Sequence, residues 1–196
     1  MALKPTFRAA TLADASSLAV LIDIAGNGLP NKVWLDQVGP GHSALEEGRQ
    51  VVRRDEGEDS YHNATIAMMG TEIAACLIGG MPEHLYDLSR INEKSELFRP
   101  VAHLAAQAVG TWYVDVMASF SEFRGQGLGT KLLELAASKA EAIGAPATSI
   151  VVGSWNDGAA RLYSRAGYRP AARERAILPT GFPHTGEWIL MTRPLT

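Results

Sequence analysis

Apolar residues recur three and four apart at Leu18, Leu21, Ile22 and Ala25, a spacing that predicts a helix stopped by Gly26. Ahead of it, residues 6–9 read as a short strand. Thr11 and Asp14 have the separation of a capping box, with Asp where Glu or Gln is usual. Residues 26–41 carry four glycines and two prolines, which predicts a loop with about one turn of helix around Trp34. Residues 43–54 read as a polar helix. The period then shortens: residues 64–69 and 72–79 form two strands of a hairpin around Gly70 and Thr71.

Residues 81–110 are the least regular stretch and read as an excursion. Its second part, 95–108, has the spacing of a helix with Leu97, Val101, Leu104 and Ala105 on one side. Strand 112–119 follows, then helix 127–143 with Leu132, Leu133, Leu135, Ala136 and Ala140 on its apolar side. Gly144 and Pro146 end that helix. Strand 149–152, helix 157–166 ended by Gly167, and strands 168–177 and 187–193 complete the chain. Strand-helix-strand order from 112 to 152 implies a right-handed crossover between parallel strands. The remaining strands suit antiparallel hairpins. The expected class is therefore α/β (α+β): one domain over residues 1–196, built on a mixed sheet flanked by helices, with 81–110 as an irregular, partly helical insertion.

Composition narrows the function. A chain of 196 residues, 46% hydrophobic, is long enough for one sizeable core. The net charge is -3 with both signs interspersed, and no basic block suggests a nucleic-acid binder. No run of eighteen apolar residues reads as a membrane span, and the first ten residues lack the apolar run of a signal peptide. The expected location is the cytoplasm. Cys76, the single cysteine, excludes an intrachain disulfide, and in an apolar strand it reads as a small core residue. The five histidines and this cysteine have no metal-ligand spacing, so no metal is expected.

One segment carries chemistry of its own. Gly125, Gly127 and Gly129 alternate between a strand and a helix start. Glycine allows left-handed backbone angles and a close ligand approach, so successive N–H groups can face one concavity at the positive end of the helix dipole. Arg124 adds a charge at the edge. This is an anion cradle or, equally on spacing alone, a tight structural turn. A phosphate-binding loop of the Walker type would need Gly-Lys-Ser/Thr, and the dinucleotide fingerprint a third glycine where Thr130 stands.

The spacing that does fit is Arg-x-x-Gly-x-Gly at Arg124, Gly127 and Gly129, followed downstream by Asn156, Ala159, Leu162, Tyr163, Gly167 and Tyr168. Together these resemble the two signature segments of the GNAT superfamily of acyl-CoA N-acyltransferases. The resemblance covers residues 112–168 position by position, and the N-terminal part in element order only. Ser121 departs from it, standing where the family often has proline. The resemblance implies a twisted sheet whose two central parallel strands, here 112–119 and 149–152, splay apart. It implies acetyl-CoA as co-substrate. The pantetheine arm would run along Met117, Ala118 and Ser119, and the pyrophosphate would rest on the N–H groups of Arg124, Gly125, Gln126, Gly127, Leu128, Gly129 and Thr130.

Further roles follow from the same resemblance. The Met117 N–H would polarise the thioester carbonyl. Tyr163, on one helix face with Asn156, would protonate the departing thiolate; from the helix alone it could as well be a packed aromatic. Asn156 could cap its helix, face the splay, or both. Asp115 lies on the strand face of Tyr113 and Met117, where a carboxylate must be hydrogen-bonded or used. It is the candidate general base, the alternative being a structural Asp tied to a loop. His184 and Trp34 are weaker candidates for the acceptor side. The implied function is acetyl transfer to a primary amine of a small molecule or peptide by direct attack. The alternative is a catalytically silent acyl-CoA-binding or sensing module. The acceptor, the acyl length and the oligomeric state, a homodimer included, stay open.

Overall fold

A computed structural model of the protein describes residues 4–85, 89 and 93–195. The chain divides into two compact units, Met1–Gly79 with Val116–Leu132, and Gly80–Asp115 with Leu133–Thr196. Seven strands follow the order β1-β2-β3-β4-β5-β7-β6, with β4 (Trp112–Ser119) running from the second unit into the first.

In the first unit, β1 (Thr6–Ala9) pairs antiparallel with β2 (Ala64–Met69), and β2 pairs antiparallel with β3 (Glu72–Gly80), with a register shift at Ala67/Met68. Helix α1 (Ala15–Ala25) buries Leu18, Leu21 and Ile22, the predicted stripe, among Ile66, Cys76, Ile78, Val116 and Ala118. The capping box forms. The Asp14 carboxylate accepts the Thr11 N–H at 2.7 Å and also takes both Arg8 terminal nitrogens at 2.7 and 2.8 Å. The Arg8 guanidinium, helped by Thr11 and opposed by burial, holds this carboxyl down at about 2, from 3.8.

That shift carries a pH sign. The unfolded chain would bind a proton where native Asp14 stays charged, so the pair stabilises fully above pH 3.8 and is lost as pH falls toward 2. Asp14→Asn is expected to lower the urea midpoint at pH 7, and the gap between the proteins should close as pH falls through that window. A gap that persists at pH 2 would count against the ion pair as its source.

Residues 26–41 correct the sequence reading. The predicted loop holds a ten-residue helix, α2 (Leu29–Val38). Gly28 precedes it in a left-handed conformation, Pro30 lies in its first turn, and Gly39 ends it at φ 80°. The glycines and prolines are therefore punctuation, because proline costs nothing in a first turn where the N–H has no partner. Trp34 is a core residue here. A Cβ on Gly48 of α3 (Ala44–Val52) would lie 2.4 Å from its ring, so indole packs directly on the glycine backbone.

The second unit holds α4 (Pro82–Leu85) and α5 (Arg99–Ala106), where the sequence predicts an irregular stretch with a helix at 95–108. The helix exists but is shorter. It buries Pro100, Ala102, Leu104 and Ala105 against β5 (Ala147–Gly153), β6 (Arg169–Arg175) and β7 (Glu187–Pro194), leaving Leu97 and Val101 half-buried. β5 pairs antiparallel with β7, and β7 with β6, while β4 and β5 form the predicted parallel ladder. That ladder registers only Trp112↔Thr148, Tyr113↔Ser149 and Val114↔Ile150. The crossover helix α6 (Leu128–Ala142) ends at Gly144, φ 72°, as its spacing predicts.

Candidate active site

After β4 the chain makes a 3₁₀ turn at Ser121–Phe123, passes Arg124 in extended conformation, and enters α6. Gly125 and Gly127 have φ of 74° and 79°. Gly129 has ordinary helical geometry within α6, so of the three glycines only two need the left-handed region. The Arg124 N–H donates to Ser121 O at 3.2 Å. Among the described residues, the N–H groups of 125–130 donate no hydrogen bond; the first in the helix is Lys131 N to Gly127 O at 3.2 Å.

Six successive free donors lie at the positive end of a fifteen-residue helix, an arrangement chemically suited to an anion. A Cβ on Gly125 or Gly127 would meet nothing within 4 Å, so the space beside both is open. Arg124 lies exposed at the rim, its Nε 3.4 Å from Ser119 O. Buried Leu128 anchors the turn from below. Upstream on β4, Met117 and Ser119 are half-buried and Ala118 belongs to the core. Cys76 lies against the Ala118 backbone, and burial pushes its thiol up to about 12, which makes it inert as a nucleophile.

The remaining candidates fall in the second unit. Asn156 caps α7 (Asp157–Arg165), its side-chain oxygen accepting Ala159 N–H at 3.1 Å. Tyr163, seven residues on, is buried with its ring centroid 6.0 Å from that of Tyr168, which Gly167 (φ 95°) turns back against it. The Tyr163 hydroxyl has no hydrogen-bond partner among the described residues, and burial pushes its pKa well above 10. It is a phenol that keeps its proton. Asp115 is half-buried on the β4 side of Met117 and Ser119, between buried Val114 and Val116.

An aromatic cluster in this unit is absent from the sequence reading. Trp155 has the rings of Trp188 at 4.8 Å, Phe182 at 6.1 Å and His184 at 6.1 Å, the last stacked within 7°. His184 was foreseen as a candidate, whereas Trp155, Phe182 and Trp188 come from a loop and two neighbours thirty residues away. Only pairing of β5 with β7, Gly153↔Trp188, brings them together. Among the described residues, no group of three or more His, Cys, Asp or Glu is arranged to hold a metal ion, and no single helix is long and apolar enough to cross a membrane.

Residues 34–168 match the model of the acetyltransferase (GNAT) family. No curated protein matches the chain significantly. Among solved structures, it resembles an N-acetyltransferase from Staphylococcus aureus Mu50 at TM-score 0.67 and 15% identity, covering 95% of this chain and 99% of that one. A Drosophila melanogaster polyamine N-acetyltransferase, which forms N-acetylagmatine, aligns at TM-score 0.68 and 15% identity over 98% of this chain and 100% of that one. A chain of the NatC complex bound to Gag peptide and CoA aligns at TM-score 0.58 and 16% identity, over 99% and 100%. At these identities the structures speak for the fold.

Proposed function

This chain belongs to the GNAT acetyltransferase family, acyl-CoA-dependent N-acetyltransferases, and from that premise we propose that it moves an acetyl group from acetyl-CoA to a primary amine of a small molecule or peptide. The whole chain works as one acyltransferase domain, in the cytoplasm where its donor is found. The observation that carries the donor assignment is the row of free N–H groups at residues 125–130 beside two open glycines. A pyrophosphate is the part of coenzyme A that such a row fits.

Acetyl-CoA supplies an activated acyl group as its thioester. The protein's part is positioning and proton handling. Residues 125–130 hold the pyrophosphate with Arg124 at the rim, and the backbone of Met117 and Ser119 guides the pantetheine arm past Ala118. The Met117 N–H polarises the thioester carbonyl. Asp115 takes a proton from the attacking ammonium, directly or through water, so that a neutral amine forms the new C–N bond. As the C–S bond breaks, Tyr163 donates its phenolic proton to the leaving sulfur. Asn156 holds the start of the helix that carries Tyr163.

Thiol release from acetyl-CoA, followed with a panel of amines and peptides, tests this reading. Turnover of at least one primary amine is expected. Binding of acetyl-CoA without release by any amine would leave a silent binding module instead. Asp115→Asn is expected to lower kcat/KM about 10²-fold at pH 7, the scale of a lost general base. A variant as active as the parent would remove Asp115 from the mechanism.

A further inference from the structure

Helix α7 buries one residue, Tyr163. Its two ends are therefore where its placement is decided. Asn156 caps the start, and at the finish two backbone bonds close a left-handed turn. Gly167 N donates to Ser164 O at 3.2 Å and Tyr168 N to Tyr163 O at 3.0 Å, with Gly167 at φ 95°. Two such bonds crossing back over a positive-φ glycine make a Schellman turn. In that turn the residue after the glycine tends to lie against the residue whose carbonyl it takes. Here those residues are Tyr168 and Tyr163.

Their rings lie 6.0 Å apart between centroids and 51° from parallel, inside the range of attractive aromatic pairs. Tyr168 is fully buried, and the next residue, Arg169, pairs with Thr192 of β7, so this ring is tied to the sheet. Its hydroxyl neighbours that of Thr148 on β5, and both oxygens are buried without a well-formed hydrogen bond among the described residues. An unpaired buried hydroxyl adds nothing to the fold, so what Tyr168 contributes is its ring and its main chain. Sealed there, the hydroxyl meets no ligand. Burial raises the pKa of both phenols, in Tyr168 against Thr148 and Arg193, so the pair is uncharged at neutral pH.

Tyr163 stands near the end of α7, where helix carbonyls lose their regular partners. A proton donor in that position needs an outside reference, since a displacement of about 1 Å can cost 10²-fold in rate. Tyr168 supplies one twice over, through the backbone bond and through the ring. We propose that Tyr168 is the positioning residue for Tyr163, holding its phenol in the place from which it protonates the leaving sulfur, and that Gly167 provides the turn that makes this contact. The inference rests on the acid role of Tyr163 for its kinetics and on the turn alone for its geometry.

Two kinds of measurement keep those supports apart. Thiol release from acetyl-CoA is followed with the fastest primary amine of the panel, and acetyl-CoA affinity by calorimetry. Tyr168→Leu is expected to lower kcat about tenfold with the Kd within about twofold, whereas Tyr168→Phe, which keeps the ring, should stay within about twofold in both. In the Tyr163→Phe background, Tyr168→Leu should cost less than about twofold more, because the group it positions is gone. Gly167→Ala reaches the same contact through the backbone. Both rings remain, and the new methyl meets only the Arg193 side chain at 3.8 Å, so the disturbance comes from φ. With fluorotyrosine labelling, the Tyr163 resonance, assigned by its loss in Tyr163→Phe, should shift or split in Gly167→Ala, a readout that needs no turnover. An unmoved resonance would overturn the proposal. So would full kcat in Tyr168→Leu, or independent losses in the double variant, where Tyr163→Phe itself is slow. Full turnover by Tyr163→Phe beside a moved resonance would leave the positioning in place and sink the acid role instead.

Discussion

Tyr163→Phe is expected to lower kcat by about 10²-fold or more, with the Kd for acetyl-CoA within about twofold of the parent. The change removes one oxygen from a ring that is 6% exposed, and that oxygen has no partner among the described residues, so the fold loses no hydrogen bond. Loss of rate without loss of binding is then the mark of a proton donor. Burial is what suits the residue to this work, because it disfavours the phenolate and raises the pKa above 10. The phenol is fully protonated at neutral pH, and Tyr163 should impose no alkaline limb on kcat below pH 10. The same burial has a stability sign. Above pH 10 the unfolded chain releases a proton that native Tyr163 retains, so stability falls as pH rises past that point. Unchanged turnover in the phenylalanine variant would leave Tyr163 as a packing residue only.

Gly127→Ala should raise the Kd for acetyl-CoA about 10²-fold, the cost of one or two charge-assisted hydrogen bonds. The effect on the fold should be small by comparison. The new methyl meets nothing within 4 Å, so the fold bears only the strain of a positive φ, about 1–2 kcal/mol. That asymmetry makes the variant informative, since the space a methyl would enter is open in the protein and is claimed by the ligand in the proposal. Calorimetry with acetyl-CoA alongside a thermal midpoint would measure both. An intact affinity would mean that the N–H row does not hold the pyrophosphate.

Most of the helices and strands were readable because their signals are local. The stripe of α1 and α6, the stops at Gly144 and Gly167, and the Asn156 cap depend on neighbours within a turn of helix. Errors gathered where a local signal had two meanings. Gly28, Pro30 and Gly39 mark a helix's ends as readily as a loop, and only the buried contacts of Leu29 and Trp34 decide between them. Of the stripe predicted for 95–108, Leu104 and Ala105 are buried as expected, whereas Pro100 and Ala102 are buried in place of Leu97 and Val101. Burial there depends on how the helix sits on the sheet, which periodicity does not encode.

The glycine turn divides along the same line. Its residue types and spacing allow an anion cradle or a tight turn next to a helix start, because φ freedom and a missing Cβ are properties of glycine itself. Which N–H groups are free is a matter of hydrogen bonding: Arg124 N is taken by Ser121 O, Gly129 needs no special angle, and the open row begins at residue 125. The aromatic cluster lies at the far extreme. Trp155 and Trp188 stand thirty-three positions apart, and only the pairing of Gly153 with Trp188 across two antiparallel strands gives them a common surface. The glycine turn was legible in the sequence because it lies in one continuous segment. The aromatic cluster had to wait for tertiary structure, because its residues become neighbours only through a β-ladder.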